Sequence, residues 1–276
     1  MRILTAAAIG ALCLAALPAY AQDSEDKEFS GPYVGVTLGG SLQNNDAGET
    51  IEFDRDLNGS FGDTVVTSGG ANAFSPGFCN GRASSTANMD CENDTDGPAY
   101  SVRAGWDFQM GKVVVGVVGE FGKSELTDSV SAFSTTPARY TMQRRMQWDA
   151  GLRARAGYAA GGKTLFYVTG GGAYARMDHR FETSNTANSF TVTGGRDAWG
   201  WAGGGGVEQK LGRNFSLGVE YLYTTVKDDD NGIRAGAGTA PATNPFLLSG
   251  AGGTDFRRTD RDFDWGVLRA TAAFRF

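Results

Sequence analysis

The feature that most constrains this chain is a two-residue alternation with its polarity turned inside out. Tyr100, Val102, Ala104, Trp106, Phe108 and Met110 make one uniformly apolar face, opposite Ser101, Arg103, Gly105, Asp107 and Gln109. A period of two is the signature of a β-strand. A charged inner face under an unbroken apolar outer face reverses the layout of a soluble sandwich. The pattern recurs. From Tyr140 the outward set is Tyr140, Met142, Met146, Trp148, Ala150, Leu152, Ala154, Ala156 and Tyr158, against Gln143, Arg145, Gln147, Asp149, Gly151, Arg153, Arg155 and Gly157. Phe215, Leu217, Val219, Tyr221 and Tyr223 oppose Ser216, Gly218, Glu220 and Thr224, and the last strand sets Leu268, Ala270, Ala272, Phe274 and Phe276 against Arg269, Thr271, Ala273 and Arg275. Aromatic residues gather near the strand ends, as an interfacial girdle requires.

Four further strands read at 33–42, 113–121, 165–175 and 199–208, where the Gly170–Gly172 and Gly203–Gly206 runs erase the alternation locally. The total is eight. Tight turns fall near Gly111-Lys112, Ala160-Lys163 and Leu211-Asn214, whereas 44–97, 125–138, 182–196 and 228–262 are long, polar and rich in Gly, Asn, Asp and Ser. Sorting short turns to one side and long loops to the other predicts an all-β fold: an eight-stranded antiparallel transmembrane β-barrel with short periplasmic turns and long extracellular loops. An even strand number puts both termini on the periplasmic side.

The N-terminus fits this compartment. Arg2, an apolar run from Ile3 to Leu17 and the small-x-small site Ala19-Tyr20-Ala21 make residues 1–21 a signal peptide. The run is too short to span a bilayer as a helix. Residues 22–30 are then a periplasmic N-terminal segment and 31–276 the outer-membrane barrel. No later segment is apolar enough to read as a membrane helix, and mean hydropathy is -0.28. The net charge of -6, without a basic block, argues against nucleic acid as a partner. Cys79 and Cys91 alone remain after cleavage. In an exported chain they are expected to form a disulfide closing a short loop, a metal site being the weaker alternative because no histidine lies near them.

The segments Gly200-Trp-Ala-Gly-Gly-Gly-Gly-Val-Glu208 and Leu217-Gly-Val-Glu-Tyr-Leu-Tyr223 resemble the paired Gly-x-Glu and Glu-Tyr-x-Tyr strands of the small eight-stranded outer-membrane barrels labelled porin-family, related to the OmpA barrel. Leu152-Arg-Ala-Arg-Ala-Gly157, Tyr167-Val-Thr-Gly-Gly171 and the closing Phe274-Arg-Phe276 extend the resemblance, which covers the mature chain in outline but not its loops. It implies that Phe274 and Phe276 act as the C-terminal signal read by the barrel-assembly machinery, although Thr271 stands where that signal often has glycine.

Several motifs invite chemistry that their context refuses. Gly157-Tyr-Ala-Ala-Gly-Gly-Lys163-Thr164 matches a phosphate-binding loop, but a strand rather than a helix follows it. Gly170-x-Gly172-x-x-Ala175 has no βαβ unit around it. Asp54-Arg-Asp56-Leu-Asn58-Gly59 and Glu92-Asn-Asp94-Thr-Asp96-Gly97 imitate half a calcium loop, yet Val65 and Arg103 stand where the bidentate glutamate belongs. His179, the one histidine, reads as a residue at the membrane surface, with no serine within four positions. No enzyme, cofactor or metal is therefore expected.

The inward charges are more informative. Arg103, Glu120, Arg153, Arg155, Glu220 and Arg269 fall at similar depth. Buried charges left alone cost several kcal/mol, so an ion-pair ladder is expected: Arg153 and Arg155 with Glu120, and Arg269 with Glu220. The favoured function is structural or surface-interacting, a barrel presenting long extracellular loops from the outer membrane of a Gram-negative bacterium. Passive porin-like diffusion of small solutes and lipid modification by an outer-membrane enzyme are the alternatives, and lumen width separates the first two. The expected partners are outer-membrane lipid, the barrel-assembly machinery and an unidentified ligand of the loops.

Overall fold

The computed structural model describes residues 28–43, 48–80 and 91–276. The expected signal peptide lies outside the described residues. Fourteen strands run in chain order: β1 (Gly31–Gln43), β2 (Ile51–Asp54), β3 (Gly77–Cys79), β4 (Gly97–Met110), β5 (Val113–Ser124), β6 (Thr127–Ser134), β7 (Ala138–Ala160), β8 (Thr164–Thr183), β9 (Ser189–Thr193), β10 (Asp197–Lys210), β11 (Phe215–Lys227), β12 (Gly232–Gly236), β13 (Gly253–Arg258) and β14 (Asp262–Arg275). Eight of them close a ring in the order β1, β4, β5, β7, β8, β10, β11, β14 and back to β1, every pair antiparallel. Closure satisfies the backbone of every barrel strand on both sides, the condition for strands to cross a membrane.

The three tight turns lie where the sequence puts them. Gly111, Gly161 and Gly162 adopt positive φ values of 60°, 58° and 73°, which the hairpin turns require. The phosphate-loop look-alike is thereby split: Gly157 sits within β7, and Thr164 opens β8. Outward positions of the barrel keep large apolar side chains in the open, such as Leu38, Leu152, Val168 and Leu268.

The loop end departs from the sequence reading. The long segments are not merely polar loops. β3 and β6 join the upward extensions of β7 and β8 in one sheet, while β2, β13, β12 and β9 form a second, separate sheet. Ile51, Phe53, Val130, Tyr140, Met142, Ile233, Phe246 and Phe256 pack in one core drawn from both sheets. Ring centroids lie 4.5 Å apart for Phe53 and Phe74, and 5.7 Å apart for Tyr140 and Phe246. This is a small β-sandwich standing on the barrel.

A single bulge joins the two architectures. Pairing passes from Met146↔Met177 to Trp148↔Arg176, so Gln147 is an extra residue on β7. One extra residue reverses which face each parity occupies. Trp148, Ala150 and Leu152 keep the outward parity expected for them. Tyr140, Met142 and Met146, expected on that same lipid-facing side, are instead 3%, 5% and 0% exposed, inside the sandwich and the upper barrel.

Candidate functional site

The interior of the barrel is the most chemically loaded region, and inward parity places its side chains. From β4 come Arg103 and Asp107, from β5 Glu120, from β7 Arg153 and Arg155, from β10 Glu208, from β11 Glu220, and from β14 Arg269 and Arg275; all are buried. They sort into two storeys. In the upper one Arg269 donates from Nε to Glu220 Oε1 at 2.9 Å and from Nη2 to Glu120 Oε2 at 2.8 Å. Arg153 Nη2 also reaches Glu120 Oε2, at 2.8 Å, and Arg103 Nη1 lies 3.5 Å from Glu220 Oε2. The storey nearer the tight turns holds Arg155 and Arg275 against Asp107 and Glu208. Arg275 Nη2 is 2.8 Å from Asp107 Oδ2 and 3.0 Å from Glu208 Oε1, and Arg155 pairs with both acids.

Tyr167 ties the storeys together. Its hydroxyl donates to Glu220 Oε2 at 2.7 Å, while the Arg155 guanidinium lies 4.0 Å from its ring centre. Two glycines make the room. A Cβ on Gly105 would stand 2.5 Å from the Tyr33 hydroxyl, and one on Gly151 would stand 3.2 Å from Arg153 Nη1.

The six charges singled out in the sequence are thus all inside the barrel, and Arg103, Glu120, Arg153, Glu220 and Arg269 are brought together. Arg155 is not with them: its carboxylates are Glu208 and Asp107 rather than Glu120, two residues of β7 being a full storey apart. Asp107, Glu208, Arg275, Tyr33 and Tyr167 were missed. The signal was available, since Asp107 and Arg275 occupy the charged face of their strands, but depth was counted for a single layer.

The interior is closed above and below this network. Glu28–Ser30 turns into the tight-turn mouth, where Phe29 is fully buried against Val114, Ala159, Leu165 and Tyr167. The Phe29 N–H donates to Gln109 Oε1 at 2.9 Å, and Arg275 Nη1 donates to the Phe29 carbonyl at 3.0 Å. Toward the loops, Leu126, Met146, Met177, Leu222, Phe263 and Trp265 fill the barrel with apolar side chains.

A second ionic layer fastens the sandwich to the barrel. Arg258 on β13 grips Glu49 with Nε–Oε1 at 2.6 Å and Nη2–Oε2 at 2.5 Å, and reaches Asp128 Oδ1 on β6 at 2.6 Å. Arg144 on β7 donates to Asp128 Oδ2 at 2.6 Å and to the Asp262 carbonyl at 2.7 Å. Burial works against ionising Asp128, yet Arg258 and Arg144 outweigh it and hold the carboxyl at about 2.

His179 belongs to this junction rather than to the membrane surface. It points inward, its Nε2 2.9 Å from Asp228 Oδ2, and the space around it is a cavity of about 20 Å³. Such a volume holds about one water molecule, not a substrate. Among the described residues no serine hydroxyl hydrogen-bonds to the ring.

Of the calcium-like stretches, Asp54, Asp56 and Asp63 do converge, with carboxylate oxygens within 4.8 Å of one another. Asp54 is already committed, however, accepting the N–H groups of Asn58 and Gly59 at 3.1 and 2.7 Å. Glu92, Asp94 and Asp96 diverge to Arg139, Ser129 and Gln43.

Cys79 and Cys91 form the disulfide, with Cα atoms 6.0 Å apart. The carboxyl-terminal aromatics lie on the outer wall. Phe274 and Phe276 are exposed, their rings 5.3 Å apart, and the Phe276 N–H reaches the Pro32 carbonyl at 3.1 Å.

Comparison with known proteins agrees with this architecture. The family of the outer membrane protein β-barrel domain matches residues 9–240. The 31 kDa outer-membrane immunogenic protein of Brucella melitensis biotype 1 is 32% identical over 124 residues, covering 45% of this chain and 51% of that protein. The 22 kDa outer membrane protein of Rhizobium leguminosarum bv. viciae is 27% identical over 146 residues, covering 53% of this chain and 61% of that one. The chain therefore spans between half and two thirds of the length of these relatives. Among solved structures, the outer membrane protein OprG from Pseudomonas aeruginosa superposes with a TM-score of 0.50 at 13% identity, over 90% of this chain and 97% of that one, a likeness of fold alone. With a closed antiparallel barrel, an apolar outer wall and a family match over most of its length, the chain belongs to the outer membrane protein β-barrel domain family and resides in the outer membrane of a Gram-negative bacterium.

Proposed function

We propose that this protein is a closed, non-conducting anchor that displays a rigid β-sandwich at the cell surface as an interaction module. The observation that carries the reading is the filled lumen: Glu120, Arg153, Glu220 and Arg269 are 8%, 3%, 2% and 5% exposed. Charges bathed by a water-filled pore would be open to solvent. Eight strands leave an interior that side chains just fill, and here apolar plugs at both ends add to the ionic storeys. The reading is also non-enzymatic, because the His179–Asp228 pair faces a space too small for a substrate. In this view lipid of the outer membrane surrounds the apolar wall, the barrel-assembly machinery recognises Phe276 during insertion, and a ligand of the sandwich acts from outside.

Two measurements on the intact protein test it. In planar bilayers the folded protein is expected to show no large, long-lived open state; a stable conductance of general-porin size would move the function to solute diffusion. On intact cells a Val192→Cys variant is expected to react with a membrane-impermeant maleimide, because Val192 lies exposed on β9 of the sandwich. Failure to label would place the sandwich away from the surface.

A further inference from the structure

The core of the sandwich is unfinished along one side. On the second sheet Ile233 of β12 is 2% exposed, whereas Val192, its register partner on β9, is 47% exposed. On the first sheet Met142 of β7 is buried, whereas Phe181, its register partner on β8, is only partly so. The two open strands meet at a seam, where the Phe181 and Phe190 rings lie 5.1 Å apart.

Each strand of the seam has a free backbone edge among the described residues. β10 pairs with β8 only as far as Arg176, so residues 178–183 have β7 alone beside them. β9 pairs with β12 alone. A free edge accepts another strand, and charged side chains are a common protection against it. β8 carries that protection in Asp178, Arg180 and Glu182. β9 carries none: residues 185–195, Asn-Thr-Ala-Asn-Ser-Phe-Thr-Val-Thr-Gly-Gly, are uncharged throughout.

We propose that β9 pairs with the β9 strand of a second copy of this chain, antiparallel and centred on Thr191. The strand is self-complementary in that register. Phe190 stands against Val192 of the partner subunit, and Ser189 against Thr193 of the partner subunit. Apolar thus meets apolar on the core face and hydroxyl meets hydroxyl on the outer face, both stabilising cross-strand pairs. A slip of one residue would set Phe190 against threonine. The contact is isologous and closes at two copies.

Symmetry then says where the second copy stands. The twofold axis of an antiparallel strand pair runs normal to the sheet. β7 and β8 rise from the barrel wall into the first sheet, and the second sheet packs face to face with it across the shared core. Both sheets stand upright on the barrel, so the axis lies along the membrane plane and inverts the partner. The pair therefore bridges two opposing membranes. An edge of five residues is weak alone, but many copies between two surfaces act together. The inference rests on the display of the sandwich at the cell surface and names what it meets there.

The test reconstitutes the mature protein in phospholipid vesicles and follows their clustering by light scattering. Wild-type vesicles are expected to cluster. Thr191→Cys is expected to cluster them and, under mild oxidation, to yield a disulfide-linked dimer, Cys79 and Cys91 being already joined to each other. Ser189→Cys, whose thiol faces a threonine rather than its own copy, is expected to cluster vesicles without the link. V192K sets a charge against Phe190 of the partner subunit. It is expected to lose the clustering and, combined with T191C, the link, while keeping the heat-modifiable mobility of a folded barrel. No clustering by the wild type, linking by S189C as strong as by T191C, or clustering that survives V192K would each overturn the proposal. Labelling of Val192→Cys on dispersed cells keeps the two readings apart: labelled cells without vesicle clustering reject the pairing alone, and unlabelled cells reject the surface display with it.

Discussion

Replacing Glu120 by alanine probes the interior most directly. Glu120 accepts from Arg153 and Arg269, but the two arginines depend on it unequally. Arg269 retains Glu220. Arg153 has Glu120 as its one ion-pair partner among the described residues, and its Nε already has no hydrogen bond. Glu120→Ala therefore leaves a buried guanidinium uncompensated, a change worth about 3–5 kcal/mol. Reversible urea unfolding in detergent micelles, followed by tryptophan fluorescence, reads the loss; with a slope near 3 kcal/mol per molar, the midpoint falls by about 1–1.7 M. Adding Arg153→Ala removes the orphaned charge, and the double variant is expected to regain about 1–3 kcal/mol, the size of coupling between residues in contact. A single variant within about 0.5 kcal/mol of wild type would behave like a surface substitution. That result, or strict additivity in the double variant, would refute the reasoning and imply a wet lumen.

Three further outcomes follow from the loop end. Cys79→Ser/Cys91→Ser opens a loop whose closure is worth about 3 kcal/mol in the chain-entropy model; faster proteolysis near that segment is expected with the barrel's heat-modifiable mobility unchanged, and a protease pattern identical to wild type would count against it. Burial, reinforced by the charge of Asp128, pushes the Asp94 carboxyl up to about 7, so its folded form stays protonated where the unfolded chain ionises. Its contribution is full below the unfolded value of about 3.9 and is lost as pH rises toward 7; Asp94→Asn should lose less protease resistance than wild type between pH 5 and pH 8, and parallel losses would contradict the assignment. Deleting Gln147 removes the bulge and turns Tyr140 and Met142 outward, so trypsin should strip the sandwich from an otherwise folded barrel. A deletion variant whose sandwich stays protected would show that the bulge does not set the phase.

What the sequence made legible is what repeats. Alternation in β4, β11 and β14 and the spacing of tight turns read out the barrel, because each strand carries its own complete signal. Arg153 with Glu120 and Arg269 with Glu220 were readable because cross-strand neighbours share depth. The sandwich was not readable, because its apolar residues are sparse within each segment: β2 offers Ile51 and Phe53, β12 Ile233 and Ala235. Neither strand can bury its side chains alone, so nothing local separates them from the polar loops around them. Gln147 was invisible for another reason. The parity of Tyr140, Met142 and Trp148 is unbroken in sequence, and only the pairing with β8 reveals the extra residue. His179 went astray because its partner, Asp228, lies 49 positions away.

The second sheet of the sandwich, β2, β13, β12 and β9, is assembled from distant parts of the chain. Its strands come from three different excursions of the chain, and Arg257 meets Glu52 across 205 positions. Those pieces are held in one place by the closed ring beneath them. The sandwich therefore depends on the barrel: Phe53, Phe190 and Phe256 come from separate excursions and share one core only in the assembled fold. The finished surface is likewise a mosaic that no single stretch of the chain reproduces. A binder selected against excised peptides or denatured protein sees a different object from the folded sandwich, and drift in any one excursion has to be matched by the other two.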